Sequence, residues 1–127
     1  MKAEIRILIA DDHPIVRGGL RQAIETHPAL KVVGEAGDGH TALALVRELQ
    51  PDVAVLDIDM PELDGFGIAR ALQADSCTTA LIFLTIHREA DFLHEALDLG
   101  ARGYVLKDSA ATDIVAAIRA VAAGEHY

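Results

Sequence analysis

A single cysteine, no tryptophan, four prolines and few basic residues limit what this chain can do. Cys77 alone cannot close an internal disulfide, and no metal-ligand spacing surrounds it, so it reads as a bystander thiol in a turn region and redox chemistry is not suggested. Eleven Lys and Arg against twenty Asp and Glu give a net charge of −9, a surface that phosphate backbones repel, which argues against nucleic-acid binding by this chain. No apolar stretch approaches the ~18–20 residues of a membrane span. The MKAEIR opening lacks the apolar segment of a signal peptide. Low-complexity tracts, short-period repeats and Pro- or Ser-rich linkers are also missing. A soluble, cytoplasmic chain with no membrane partner is expected.

What is present is core-forming material. Of the 127 residues, 51% are apolar, and a chain of this size makes one domain that buries roughly two thirds of its unfolded surface without staples. Short apolar runs recur at 5–10 (IRILIA), 31–36 (KVVGEA), 53–57 (VAVLD), 80–85 (ALIFLT) and 103–107 (GYVLK), each strand-like. Between and after them lie stretches with helical spacing: Ile15, Val16, Leu20, Ala23 and Ile24; Ala42, Leu43, Val46 and Leu49; Phe66, Ala69 and Leu72; Phe92, Leu93, Ala96 and Leu97; Ile114, Val115, Ile118, Val121 and Ala122. Alternating strands and amphipathic helices, with strands apolar on both faces, predict an α/β fold, a doubly wound parallel sheet covered on both sides by right-handed crossovers. Pro14 suits a first helical turn, Gly100 and Gly124 suit helix ends, and the Gly18-Gly19 pair inside the first helix suggests close packing there.

In an open parallel α/β sheet, ligands bind outside the carboxyl ends of the strands. The first predicted strand runs into Asp11-Asp12, the third ends in Asp57, the fourth in Thr85 and the fifth in Lys107. Taken singly, each has a plain reading: Asp12 as the cap of the first helix, Asp59 and Asp64 as turn formers around Met60-Pro61 and Gly65, Thr85 as a strand residue, Lys107 as a solvated charge. Their joint arrival at one rim is harder to explain that way. Adjacent carboxylates repel unless a cation neutralises them. Mg²⁺ prefers a few carboxylates plus waters and phosphate oxygens, while an ammonium and a hydroxyl opposite the metal suit a phosphoryl group. The constellation is suited to phosphoryl transfer with Asp57 as oxygen nucleophile.

The segments ILIADDHPIVRGGL, PDVAVLDIDMPELDGFG, IFLTIHREADF and GARGYVLKDSA, in this order and spacing, resemble the receiver domains of two-component response regulators over essentially the whole chain. The ADDHPIVR opening, GARGYVLKD and the AIRAVAAGEHY ending look most like the NarL/FixJ subfamily. That resemblance implies a CheY-like, flavodoxin-like sheet of five parallel strands in order 2-1-3-4-5. Asp57 would then accept a phosphoryl group from a sensor histidine kinase. Asp12, Asp57 and the main-chain carbonyl of Asp59 would ligate Mg²⁺, with Asp11 acting through water, and Lys107 and Thr85 would meet phosphoryl oxygens. Tyr104 would be the aromatic that follows Thr85 when the domain switches, changing docking or self-association, with a phosphorylation-dependent homodimer as one output. Asp59 and His87 match positions that tune loss of the phosphoryl group, and Ile86, where many receivers carry a small residue, would narrow access.

Residues 1–127 are thus expected to form a single receiver domain, the N-terminal part of a longer DNA-binding regulator or a stand-alone receiver that signals by docking. A reading from another class starts from Asp57-Ile58-Asp59, which resembles the Asp-x-Asp start of haloacid-dehalogenase-type phosphatases. That motif usually belongs to a chain's first strand, whereas here it stands at the third, and the chain has no obvious room for a cap domain. A pseudo-receiver, used only for binding, is weakened by the presence of every expected acid together with Thr85 and Lys107.

Overall fold

The computed structural model describes residues 4–127; the first three residues of the MKAEIR opening lie outside them. Strand β1 (Ile5–Ala10) is followed by α1 (Pro14–Glu25), β2 (Leu30–Ala36), α2 (Gly39–Leu49), β3 (Val53–Asp57), α3 (Gly65–Ala74), β4 (Ala80–Thr85), α4 (Ala90–Asp98), β5 (Gly103–Leu106), a short 3₁₀ turn (Lys107–Ser109) and α5 (Ala110–Ala122). All strand pairs are parallel and their order is β2-β1-β3-β4-β5, as expected.

Side chains alternate across a strand, so a strand apolar at every position feeds two cores. Ile7, Ile9, Val53, Val55, Ile82 and Leu84 pack under α1 and α5. Leu8, Ala10, Leu56 and Phe83 pack under α2, α3 and α4. Every residue of β3 is buried, Asp57 included. The β3-α3 connection folds back tightly: a Cβ on Gly65 would stand 2.7 Å from the Asp57 carbonyl oxygen, so only glycine lets the chain pass this close to the strand end.

Helix ends follow local chemistry. Asp38 caps α2 by accepting the Thr41 N–H at 2.8 Å, and Asp64 caps α3 by accepting the Gly67 N–H at 2.8 Å. Gly100 and Gly124 adopt φ of 84° and 87° just beyond α4 and α5, conformations that glycine takes without steric cost.

Three expectations need correction, and one plain reading fails: Asp12 does not cap α1, since His13 holds the N-cap position and its side chain makes no cap hydrogen bond. The fifth strand ends at Leu106, because Lys107 opens the 3₁₀ turn. Gly18 and Gly19 mark no close packing: an added Cβ meets nothing within 4 Å at either. Finally, helical spacing overstates burial: Ile15 is 91% exposed and Leu97 50%, and α4 buries only Ala96.

Candidate functional site

Among the described residues, the buried polar or charged side chains are Asp11, Asp57 and Thr85. All three stand at the carboxyl ends of neighbouring strands, because β1, β3 and β4 are adjacent in the sheet. A carboxylate buried without a partner costs several kcal/mol, and a partner reaches in from β5's end. Lys107 Nζ lies 2.8 Å from Asp57 Oδ2 and 3.4 Å from Asp11 Oδ2. The Asp59 N–H donates to Asp57 Oδ1 at 3.0 Å.

These contacts do not fully balance the burial. Burial pushes the Asp57 carboxyl up to about 6; Lys107 pulls it back, the Asp11 charge adds to the rise, and the Asp59 N–H opposes it. For Lys107, burial acts to lower the pKa, but the hydrogen bond and charge of Asp57, with those of Asp11, outweigh it and the net direction is upward. The site has one ammonium for a cluster of acids. Extra positive charge there would relieve it.

The side-chain donors of Asp11, Asp12, His13 and Asp57 all come within 4.8 Å of one another. Asp11 Oδ2 and Asp12 Oδ1 are buried atoms with no hydrogen-bond partner. Orphaned carboxylate oxygens facing one small space, with hard oxygen donors dominating the set, fit a divalent cation such as Mg²⁺.

Thr85 and Tyr104 meet through the β4-α4 loop. Thr85 Oγ accepts the His87 N–H at 2.9 Å, and the Tyr104 hydroxyl donates to the His87 carbonyl at 2.9 Å. Burial pushes the Tyr104 phenol up, while the Thr85 hydroxyl pulls it the other way. His87 Nε2 lies 2.8 Å from Asp59 Oδ2, and its ring stacks on Phe92 with centroids 3.9 Å apart. One loop residue therefore touches Asp59, Thr85, Tyr104 and Phe92. Ile86, 67% exposed, lines a cavity of about 150 Å³ with Thr85, Arg88, Leu106, Lys107 and Asp108.

Every site residue read from the sequence is accounted for: Asp11, Asp12, Asp57, Thr85 and Lys107 converge, while Asp59, Ile86, His87 and Tyr104 frame them. Four participants escaped that reading. His13 folds its ring onto the acids. Arg17 donates to the Asp11 carbonyl at 2.6 Å, Arg88 pairs with Asp108 across the cavity mouth, and Phe92 supports His87. The adjacency of Asp11, Asp12 and His13 was a visible signal for the first; the others depend on side-chain reach across loops.

Comparison with known proteins agrees with this geometry. The family model of the response regulator receiver domain matches residues 7–119. The transcriptional regulatory protein YxjL of Bacillus subtilis is 39% identical over 98% of this chain and 57% of its own length. The nitrate/nitrite response regulator NarP of Escherichia coli is 41% identical over 94% of this chain and 55% of its own. The chain thus spans little more than half the length of these relatives. The solved signal receiver domain of the NarL response regulator from Mycobacterium tuberculosis superposes with a TM-score of 0.92 at 39% identity, covering 96% of this chain and 98% of that one. The chain belongs to the response regulator receiver domain family, in its NarL/FixJ-type branch, and is a phospho-accepting switch domain.

Proposed function

We propose that Asp57 is the phospho-acceptor of this receiver, taking the phosphoryl group from the phosphohistidine of a sensor histidine kinase, and that the switch controls transcription through an output domain of a longer regulator. The observation that carries this reading is the concentration of buried polar side chains, Asp11, Asp57 and Thr85, at one rim beneath the Lys107 ammonium.

In the transfer, an Asp57 carboxylate oxygen attacks phosphorus while the P–N bond breaks; the imidazole leaves with the bonding pair and takes a proton from solvent. Asp12, Asp57 and the Asp59 main-chain carbonyl would hold Mg²⁺, with Asp11 acting through water. The ion supplies neutralisation of phosphoryl and carboxylate charge. Lys107 already sits at hydrogen-bond distance from Asp57 and would contact a phosphoryl oxygen. The transferred group adds roughly −1.5 to −2 charge, which draws the Thr85 hydroxyl toward it. Because Thr85 Oγ is tied to the His87 N–H, and the His87 carbonyl to Tyr104, movement of Thr85 reorganises the loop and the aromatic together. Docking or a phosphorylation-dependent homodimer then reads that change.

Two tuning roles accompany this. The Asp59–His87 bridge keeps the Asp59 carboxylate engaged beside the acceptor, where a free carboxylate would act on attacking water. Ile86 stands in the wall of the mouth and narrows approach by small donors.

Intact-mass measurement after incubation with Mg²⁺ and acetyl phosphate tests the proposal. One phosphoryl adduct per chain is expected, absent in Asp57→Ala and in chelator. An adduct that persists in Asp57→Ala would sink the assignment, and multiple turnover of a phosphomonoester would point to a phosphatase instead.

A further inference from the structure

We propose that His13 is a nitrogen donor of the acidic rim, making it a mixed nitrogen–oxygen site that selects first-row transition dications over Mg²⁺. The inference rests on the metal-site reading above and assigns a residue that reading does not use.

His13 occupies the N-cap position of α1, where Ser, Thr, Asp and Asn are favoured because they accept helix N–H groups. Its ring does not do that work: no side-chain cap bond forms. Instead, the His13 N–H donates to Asp11 Oδ1 at 2.8 Å, and that bond turns the ring back over the acids. Nδ1 is hydrogen-bonded to Asp11 Oδ1 at 3.2 Å and lies 3.0 Å from Asp12 Oδ1, with which it makes no hydrogen bond.

These separations are informative. In an octahedral site with bonds of about 2.1 Å, adjacent donors stand about 3.0 Å apart. The imidazole nitrogen is therefore at neighbouring-vertex spacing from Asp12 Oδ1, the direct carboxylate ligand beside it. A plain ion pair between ring and acids is the competing account. A single Nδ1–H cannot serve two oxygens fully, and Asp12 Oδ1 lacks a hydrogen bond although the ring nitrogen is so close. A cation held by Asp12 Oδ1 and the Nδ1 lone pair, with Asp11 acting through water, would use both of these atoms together. The ring is 63% exposed, so it can swing to complete such a site without disturbing the core.

Selectivity follows from donor softness. Mg²⁺ gains little from imidazole, whereas Co²⁺, Ni²⁺ and Zn²⁺ gain substantially. With His13 as donor, the preference for these ions over Mg²⁺ exceeds what the carboxylates alone confer.

Calorimetric titration of untagged protein with Ni²⁺ and with Mg²⁺ tests this, counting only Ni²⁺ binding that excess Mg²⁺ displaces, since the chain holds six histidines. In His13→Ala, Ni²⁺ affinity is expected to fall by about tenfold or more while Mg²⁺ affinity changes by less than about twofold. An unchanged Ni²⁺-to-Mg²⁺ ratio would overturn the proposal, as would Ni²⁺ binding that Mg²⁺ does not displace. A second readout is the His13 ¹⁵N resonance, whose Nδ1 should shift on adding Zn²⁺; a shift at Nε2 alone would also overturn it. Failure of the wild-type protein to bind any dication that Asp57→Asn abolishes would instead remove the metal-site reading itself. The two failures are separate observations.

Discussion

The two ends of one sheet handle charge in opposite ways. At the amino end, the Arg6 N–H donates to Asp52 Oδ2 at 2.9 Å, its guanidinium to the Leu49 and Gln50 carbonyls at 2.9 and 3.2 Å, and Thr79 Oγ to the Pro51 carbonyl at 2.7 Å. The orphan near that end, among the described residues, is a ring nitrogen, His27 Nδ1. At the carboxyl end, orphaned carboxylate oxygens remain on Asp11 and Asp12. The polar groups of Arg6 and Thr79 are spent on closing the structure, while Asp11 Oδ2 and Asp12 Oδ1 make no hydrogen bond even with Lys107 Nζ and His13 Nδ1 at 3.4 and 3.0 Å. Unsatisfied buried polar atoms are uncommon in folded proteins, so where they cluster with titratable groups they mark a site.

The largest effect should separate the two ends outright. Asp57→Ala removes the phosphoryl adduct, whereas Asp52→Ala at the far end leaves it in place; an adduct lost in both would mean that the ends are not independent. Next comes stability. Burial raises the Asp57 pKa to about 6, above the ~3.9 of an unfolded carboxylate. The native state therefore holds more protons between those values. Its stabilising contribution is complete below pH ~4 and is lost as pH rises through ~6. Asp57→Asn should then be more stable than the parent by about 2–3 kcal/mol at pH 7, and the gap should close toward pH ~4. Denaturant unfolding across that range measures it. Added Mg²⁺ should stabilise the parent and not the variant. A gap that widened on acidification would refute the sign. Asp52→Ala should cost about 1–2 kcal/mol, since it removes the carboxylate that accepts the Arg6 N–H.

Smaller still is the effect on phospho-lifetime. His87→Ala releases Asp59 beside the acceptor and should shorten the lifetime of the phosphorylated protein by about threefold to tenfold, equivalent to ~1 kcal/mol. Asp59→Asn in the same background should cancel that change. A double variant as short-lived as His87→Ala would show that the bridge is not the cause.

Much of this was legible in residue order. Parallel topology follows from strands apolar at every position, and the rim follows from carboxylates placed where those strands stop. What stayed hidden depended on reach between segments. Asp59 and His87 were both singled out, but not that the two, 28 residues apart, meet through the His87 ring. The exposure of Leu93 and Leu97 was invisible because apolar spacing on α4 matches a buried helix, yet little of the fold packs over that face. His13 reads as a helix-start residue until its ring is seen lying on the acids.

Glycine gives the smallest test and extends the same contrast. Gly65, at the carboxyl end, leaves no room for a side chain, because its Cβ would press on backbone at 2.7 Å. Gly18 and Gly19 lie on an exposed helix face in open space and cost α1 helical propensity for no packing return in this domain. Gly18→Ala should therefore stabilise by about 0.5–1 kcal/mol, largely by restricting the unfolded chain. Phosphorylation should be unchanged, since no acid at the rim depends on that position. Gly65→Ala should destabilise and weaken phosphorylation together, because the chain segment that carries the Asp59 N–H to Asp57 must move. If Gly18→Ala destabilised instead, the face of α1 would be packed in solution against a partner, and self-association of the parent would be the place to look.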